Sequence, residues 1–88
     1  MNREAFEALL AQEGYDTLVT VEREPNGALG DHSHPFEAKA LILQGELSIT
    51  VDKQARLYNP GDSFHLMPNV VHQEQYGAQG VIYLVGRK

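Results

Sequence analysis

The sequence contains no cysteine and no tryptophan among its 88 residues. Without cysteine the protein has no disulfide framework, no cysteine-ligated zinc site and no thiol chemistry. A chain of this length buries only about 60–65% of the surface that its unfolded form exposes, so its hydrophobic core is thin. A compact β architecture, a bound metal or a partner subunit would each compensate, and we expect a homodimer.

Basic residues are also scarce, with 7 Lys and Arg against 12 Asp and Glu, which gives a formal net charge of −5. This balance argues against binding to nucleic acid or to an anionic membrane, since both need a basic face. No apolar run approaches the roughly 20 residues of a membrane-spanning helix, and the N-terminal residues show no signal-peptide pattern. We therefore expect a cytoplasmic protein with neither a nucleic-acid nor a membrane partner.

A short helix is predicted at the start of the chain. Asn2 can cap its N-terminus, and Phe6, Leu9 and Leu10 follow at the i, i+3, i+4 spacing of one helical face. The prediction is a helix over residues 3–13 with a single apolar stripe. This stripe is expected to cover one end of a sheet, and a contact between subunits is the alternative.

The rest of the chain has the texture of an all-β protein. Residues with strand preference alternate with turn signals at intervals of about 8–12 residues, which is typical of a sandwich or barrel. About seven short strands are predicted, at residues 15–24, 36–44, 46–51, 55–58, 63–67, 70–76 and 81–85. Gly77 and Gly80 are expected to frame the last turn. We predict one domain, with the helical segment in residues 1–14 and a small antiparallel β-barrel or jelly roll in residues 15–88.

Histidine is the residue type with the most informative placement. His32 and His34 lie two positions apart, so in extended backbone both side chains point to one face, roughly 6.6–6.8 Å apart. Two such rings can converge on one ion at about 2.1 Å from each nitrogen. His72 follows a turn signal, and another strand can bring it opposite the pair. A His-x-His pair alone also fits ordinary surface histidines.

Two longer stretches strengthen the metal hypothesis. Residues 30–46, GDHSHPFEAKALILQGE, resemble the first motif of the cupin superfamily, which runs His-x-His, three or four residues, Glu, six residues, Gly. Residues 60–72, PGDSFHLMPNVVH, resemble the second motif, Pro-Gly-Asp followed by Pro and His. The motifs and the segment between them cover roughly half of the chain. The resemblance implies a β-barrel of cupin type, often dimeric, with a divalent metal in its mouth.

The resemblance carries the metal-ligand role to His32, His34 and His72. The glutamate of the first motif does not carry over cleanly, because Ala38 stands at its position and Glu37 comes one residue early. Period-two alternation turns Glu37 outward as a rim carboxylate, whereas a β-bulge would turn it inward as a fourth ligand. Both interpretations of Glu37 stay open at this point.

Three neutral imidazoles leave an ion with its full +2 charge and about three open positions. Such a site suits Zn, Fe, Ni, Cu or Mn, and the ligands alone do not choose among these metals. Ala38 and Ala40 would leave space in the barrel mouth for a small organic ligand or for water.

Three further polar side chains are candidates near the motif. If His72 faces inward, Glu74 and Tyr76 do so too, and both are candidate catalytic residues. Glu74 could orient an imidazole or act as a general base, and the alternative for both is polar filling of a barrel end. The family often has asparagine near the last position, from which Tyr76 departs. His65 matches no motif ligand and is expected to be a half-buried structural histidine.

Three functions fit these observations. The first is a metal-binding module that binds a small molecule, of unassigned activity. The second is a metalloenzyme, a dioxygenase or an isomerase acting on a small organic substrate, as the resemblance allows. The third is a metal-free barrel that serves ligand sensing or dimerisation. A fold of this kind hosts unrelated activities, so the sequence does not decide whether the protein is an enzyme.

Overall fold

One helix and six strands make up the protein in the computed structural model, which describes residues 1–88. The elements are α1 (Arg3–Gln12), β1 (Thr17–Arg23), β2 (Ala28–His32), β3 (Ala38–Val51), β4 (Gln54–Tyr58), β5 (Ser63–Leu66) and β6 (His72–Arg87). Every strand pair is antiparallel. The predicted all-β class with a short N-terminal helix is therefore confirmed.

The N-terminal helix α1 packs through its apolar stripe on one face of the sheet, rather than over one end as the sequence predicts. The side chain of Asn2 caps it by accepting a hydrogen bond from the backbone N–H of Ala5 at 2.8 Å. Phe6 and Leu10 are fully buried in a small cluster. Their partners in that cluster are Tyr15, Leu41 and Leu84. The helix itself is too short and too polar to cross a membrane.

Two strands are much longer than the sequence suggests. β3 has 14 residues and joins two predicted strands, and β6 has 16 residues and joins two more. The turn expected between Gly77 and Gly80 is wrong, because both glycines lie inside β6. Gly45 of β3 has a φ of 78°, and a Cβ there would lie 2.0 Å from the carbonyl oxygen of Gly80. The strands therefore bend together at glycines, where register shifts interrupt the ladder without ending it.

The bend divides the sheet into two layers that share β3 and β6. The first half of β3 and the second half of β6 pair with β5 and β1, respectively. The other halves pair with β4 and β2. Strand β2 is absent from the predicted strands, because its short segment carries Gly30 and Asp31 and lacks hydrophobic alternation.

The core fills the space between these layers. Its buried residues are Val21, Ala38, Ala40, Ile42, Leu47, Ile49, Phe64, Tyr76, Val81, Tyr83 and Val85. Only 20 of the 88 residues are buried, which agrees with the thin core expected for this length. Two buried polar residues, His72 and Glu74, lie on the inward face of β6 and place a polar site at one end of the core.

Candidate metal centre

The three predicted histidines come together at the end of the barrel. His32 is the last residue of β2, and its direct cross-strand partner is His72, the first residue of β6. Their ring centroids are 4.1 Å apart, and the ring of His34 lies 5.2 Å and 5.4 Å from the two. The potential ligand nitrogens all lie within 4.8 Å of one another. We call these three residues the histidine cluster.

One geometric expectation about the pair His32 and His34 is wrong. The two were expected to share one face of a strand, but β2 ends at His32, and His34 lies beyond it in irregular backbone. The ring of His34 reaches the cluster from the loop that follows the strand. Pro35 limits strand continuation there, because it removes a backbone donor and restricts the residue before it.

Backbone hydrogen bonds fix the orientation of two rings. Nδ1 of His32 donates to the carbonyl of Gly30 at 2.7 Å, and Nδ1 of His72 donates to the carbonyl of Val70 at 3.0 Å. A carbonyl can only accept, so each Nδ1 carries the proton in these contacts. With Nδ1 held by the backbone, Nε2 is the ring nitrogen that each of these histidines has left for a metal ion, as in metal-binding histidines.

The Nε2 atom of His72 supplies a direct test of whether a metal fits. It is buried and has no hydrogen-bond partner in the protein. An unsatisfied buried polar atom is costly, whereas coordination to a cation would satisfy it. The residues at this end of the barrel therefore fit a bound metal ion.

Glu74 places a carboxylate against the same atoms. Its Oε2 lies 3.0 Å from Nε2 of His32 and 3.4 Å from Nε2 of His72. Two imidazole lone pairs and a carboxylate would repel one another, so this arrangement needs a shared positive centre, either a proton or a metal ion. Ligand atoms about 2.1 Å from one ion are about 3.0–3.4 Å apart, and the observed separations match that range.

Tyr76 supports the carboxylate of Glu74. Its hydroxyl donates to Oε1 of Glu74 at 3.3 Å, and both side chains are buried. Burial raises the pKa of Tyr76, and the neighbouring carboxylate raises it further. Tyr76 therefore stays protonated and serves as a hydrogen-bond donor. The inward positions of Glu74 and Tyr76 agree with the alternation predicted from His72.

The environment of His34 favours its neutral form. Burial lowers the pKa of His34, and His32 and His72 lower it further. Its ring stacks on Phe36, with centroids 5.0 Å apart and planes 13° from parallel. Since a metal binds neutral imidazole, this histidine is ready to bind without losing a proton at neutral pH.

Glu37 lies outside the histidine cluster. Its Oε2 accepts a hydrogen bond from the hydroxyl of Tyr15 at 2.9 Å and is paired with Nε2 of His65. The bonds from His65 and Tyr15 lower the pKa of Glu37. Burial and the contact with Glu37 raise the pKa of Tyr15 to about 12. The structure thus places Glu37 as the outward rim carboxylate, and His65, 45% exposed at its side chain, as its partner.

A cavity of about 40 Å³ adjoins the histidine cluster, and we call it the inner cavity. Its lining includes His34, His72, Glu74 and Arg87. A groove of about 550 Å³, which we call the outer groove, lies next to the inner cavity. Phe64 and Leu66 line both of them. Ala38 lines the inner cavity, in agreement with the space predicted there, whereas the fully buried Ala40 does not.

Arg87 is a residue of this site that the sequence reasoning missed. A signal for it exists, because Val81, Tyr83 and Val85 face inward at period two and Arg87 continues that series. Inward positions are even-numbered from His72 to Tyr76 and odd-numbered after the bend. Strict alternation from His72 would therefore place Arg87 on the outside.

Comparison with known proteins identifies the family of the chain. A family model described as the cupin domain matches residues 19–77, which is more than half of the chain. The chain belongs to the cupin family. No curated protein matches the sequence.

Several solved structures share the fold at low sequence identity. A protein of unknown function from Rhizobium leguminosarum is 15% identical with a TM-score of 0.76, over 81% of this chain and 67% of its own. An RmlC-like cupin from Shewanella frigidimarina is 21% identical with a TM-score of 0.69, over 81% and 64%. Oxalate decarboxylase from Bacillus subtilis, a protein with Mn(II) centres, is 20% identical with a TM-score of 0.72, over 81% and 20%. These likenesses show the fold alone, and this cupin spans only a fifth of the decarboxylase.

Proposed function

We propose that this cupin binds a divalent transition metal through His32, His34 and His72 and binds a small molecule beside the ion. The observation that carries the proposal is the buried Nε2 of His72, which has no hydrogen-bond partner and belongs to a ring 4.1 Å and 5.4 Å from the other two. Two of the three rings are also oriented by backbone carbonyls. Such orientation reduces the freedom that a ligand loses when metal binds.

Glu74 completes the proposed site either as a fourth metal ligand or as a carboxylate that contacts the ligands without binding the metal. It takes the place of the motif glutamate, whose position Ala38 occupies. Three imidazoles and one carboxylate suit Zn, Fe, Ni, Cu or Mn, and the carboxylate improves the fit to harder ions such as Mn. When bound, the metal supplies Lewis acidity at its open positions.

Metal analysis of tag-free protein tests the proposal. We expect the wild type to retain one transition-metal ion per chain after dialysis, His72→Ala to lose it, and His65→Ala to keep it. The second histidine variant is a matched control, because His65 is paired with Glu37 outside the cluster. Metal-free wild type, even after reconstitution, would favour the metal-free barrel instead.

A metal-dependent dioxygenase or isomerase is the second candidate function. It is favoured by Glu74, a buried carboxylate that contacts two cluster rings and could move a proton at Oε2. Oxygen consumption by the Fe(II)-loaded protein with small organic acids and thiols tests the dioxygenase. The cytoplasmic location and the homodimer stay predictions.

A further inference from the structure

Arg87 is the basic side chain that lines the inner cavity. It is the last residue of β6, and its direct cross-strand partner on β3 is Ala38. The methyl group of Ala38 leaves room opposite the arginine and offers it no hydrogen-bond acceptor. Arg87 therefore occupies the wall of a site without a protein counter-ion beside it on the neighbouring strand.

The guanidinium group of Arg87 has an unmet hydrogen-bonding need. Its Nε is buried and has no hydrogen-bond partner, and no ion pair of the protein includes it. A buried, unpaired donor on a charged group is costly unless a ligand accepts its hydrogen bond. This marks Arg87 as a binding group, since the fold leaves it unsatisfied.

Aromatic contacts hold the guanidinium near the histidine cluster. Its central carbon lies 4.8 Å from the ring centroid of Phe36, and that ring stacks on His34. This cation–π contact restrains the guanidinium group and reduces the freedom that Arg87 would lose on binding.

The charge balance at the inner cavity favours an anion. Neutral imidazoles contribute nothing, Glu74 contributes −1 and Arg87 contributes +1, so a divalent ion in the histidine cluster leaves an excess of +2. A planar carboxylate matches both partners, because it accepts paired hydrogen bonds from guanidinium and coordinates a metal through oxygen. The inner cavity has room for only one small group, since a water molecule takes about 30 Å³.

We propose that Arg87 and the metal in the histidine cluster together bind the carboxylate of a small organic acid. The apolar remainder of the acid lies along Phe64 and Leu66 toward the outer groove, which has the volume that the inner cavity lacks. The role of the metal rests on the proposed function. The role of Arg87 stands on its own contacts and is tested separately.

The experiment is an NMR titration of propionate into zinc-loaded and metal-free protein, with the Nε–H resonance of Arg87 as the readout. Propionamide is the matched neutral ligand. We expect propionate to move this resonance in both forms, with higher affinity in the zinc-loaded form, and propionamide to leave it unchanged. Propionate without effect on this resonance in either form would overturn the proposal.

Variants separate the arginine from the metal. We expect Arg87→Gln to retain zinc and to weaken propionate binding about tenfold or more, as loss of a charge-assisted hydrogen bond predicts. Arg87→Lys should restore part of the affinity, and Arg3→Gln, an exposed control, should match the wild type. Equal propionate affinity in Arg87→Gln and wild type would also overturn the proposal.

Failure of zinc binding is a distinct outcome. If the wild type retains no zinc, the proposed function fails, and the metal-free titration still decides the role of Arg87 through its own resonance. If Arg87→Gln does not fold, the wild-type Nε–H readout and the Arg87→Lys variant decide it.

Discussion

At the scale of single residues, the carboxylate of Glu74 should affect metal affinity, because it contacts the Nε2 atoms of two cluster histidines. We expect Glu74→Gln to weaken metal affinity about 10–100-fold, the usual effect of losing a carboxylate partner of a metal site. Competition with a chromophoric chelator measures this change. Glu37→Gln is the matched control and should change metal affinity little. Equal losses in the two variants would contradict the assignment of Glu37 to the rim.

Glu37 should influence acid stability instead of metal binding. The bonds from His65 and Tyr15 lower its pKa in the folded protein below the ordinary 4.5, so the unfolded state takes up its proton first as pH falls. The contribution of Glu37 is therefore present above pH 4.5 and is lost as pH falls through the lower, folded-state pKa. Urea unfolding across this range should show a smaller decline for Glu37→Gln than for wild type. Parallel declines would refute the effect.

Sequence patterns predicted the residues of the site better than their surroundings. His32, His34 and His72 were found from spacing and motif resemblance, although His34 lies in irregular backbone beyond β2. The partner of Glu37 was not predictable, because His65 is 28 positions away and meets it only through the β3–β5 pairing. Arg87 was missed because a bend inside β6 changes which positions face inward.

At the scale of secondary-structure elements, the bend of β3 and β6 at Gly45 and Gly80 determines how the sheet divides into two layers. Gly45 has a positive φ, and a Cβ there would lie 2.0 Å from a backbone oxygen that cannot move aside cheaply. We expect Gly45→Ala to reduce the free energy of unfolding by about 1–3 kcal/mol or more, from backbone strain and this clash. Thermal or urea denaturation measures the change.

Gly30→Ala is the matched control for that substitution. A Cβ at Gly30 would meet nothing within 4 Å, and its φ is not in the left-handed region. Its stability should lie within about 0.5 kcal/mol of wild type, as for most surface substitutions. A large loss in both variants would show that glycine matters for reasons other than this bend.

Long strands with internal bends are hard to predict from alternation. Around Gly45 the pairing passes from Gly45 with Val81 to Leu47 with Tyr76, so the two strands contribute different numbers of residues to the bend. In both a turn between two strands and a bulge within one strand, the alternation of apolar and polar residues stops at a glycine and starts again after it. The sequence pattern therefore does not distinguish the two. The fold class was therefore predictable, whereas the number of strands was not.

At the scale of the whole molecule, metal binding should stabilise the fold. His32 and His72 belong to different strands, so an ion that binds the folded cluster and not the unfolded chain shifts the folding equilibrium. At a free-metal concentration of about 100 Kd the gain is about 2.7 kcal/mol, which raises Tm by about 10–20 °C for a domain of this size. Calorimetry with and without a chelator measures it. An equal chelator effect on His72→Ala would contradict stabilisation through the cluster.

The predicted homodimer also belongs to this scale. Only 20 residues are buried, and several large apolar side chains, including Leu57, Met67 and Val71, are more than half exposed. Burial of apolar surface between two subunits would add stability that so small a core lacks. Light scattering at tens of micromolar should give twice the monomer mass of 9.8 kDa. A monomer mass would reject the homodimer.

Strand β6 pairs with β1, β2 and β3, so the last strand in chain order connects both layers. During synthesis, β1, β2 and β3 emerge from the ribosome before β6, their shared pairing partner. The sheet therefore cannot form completely until β6 has emerged. Such non-local pairing slows folding and leaves strand edges exposed while the chain is incomplete. Nascent chains that end before residue 72 should therefore be open to proteases and chaperones, whereas those that include β6 should become resistant.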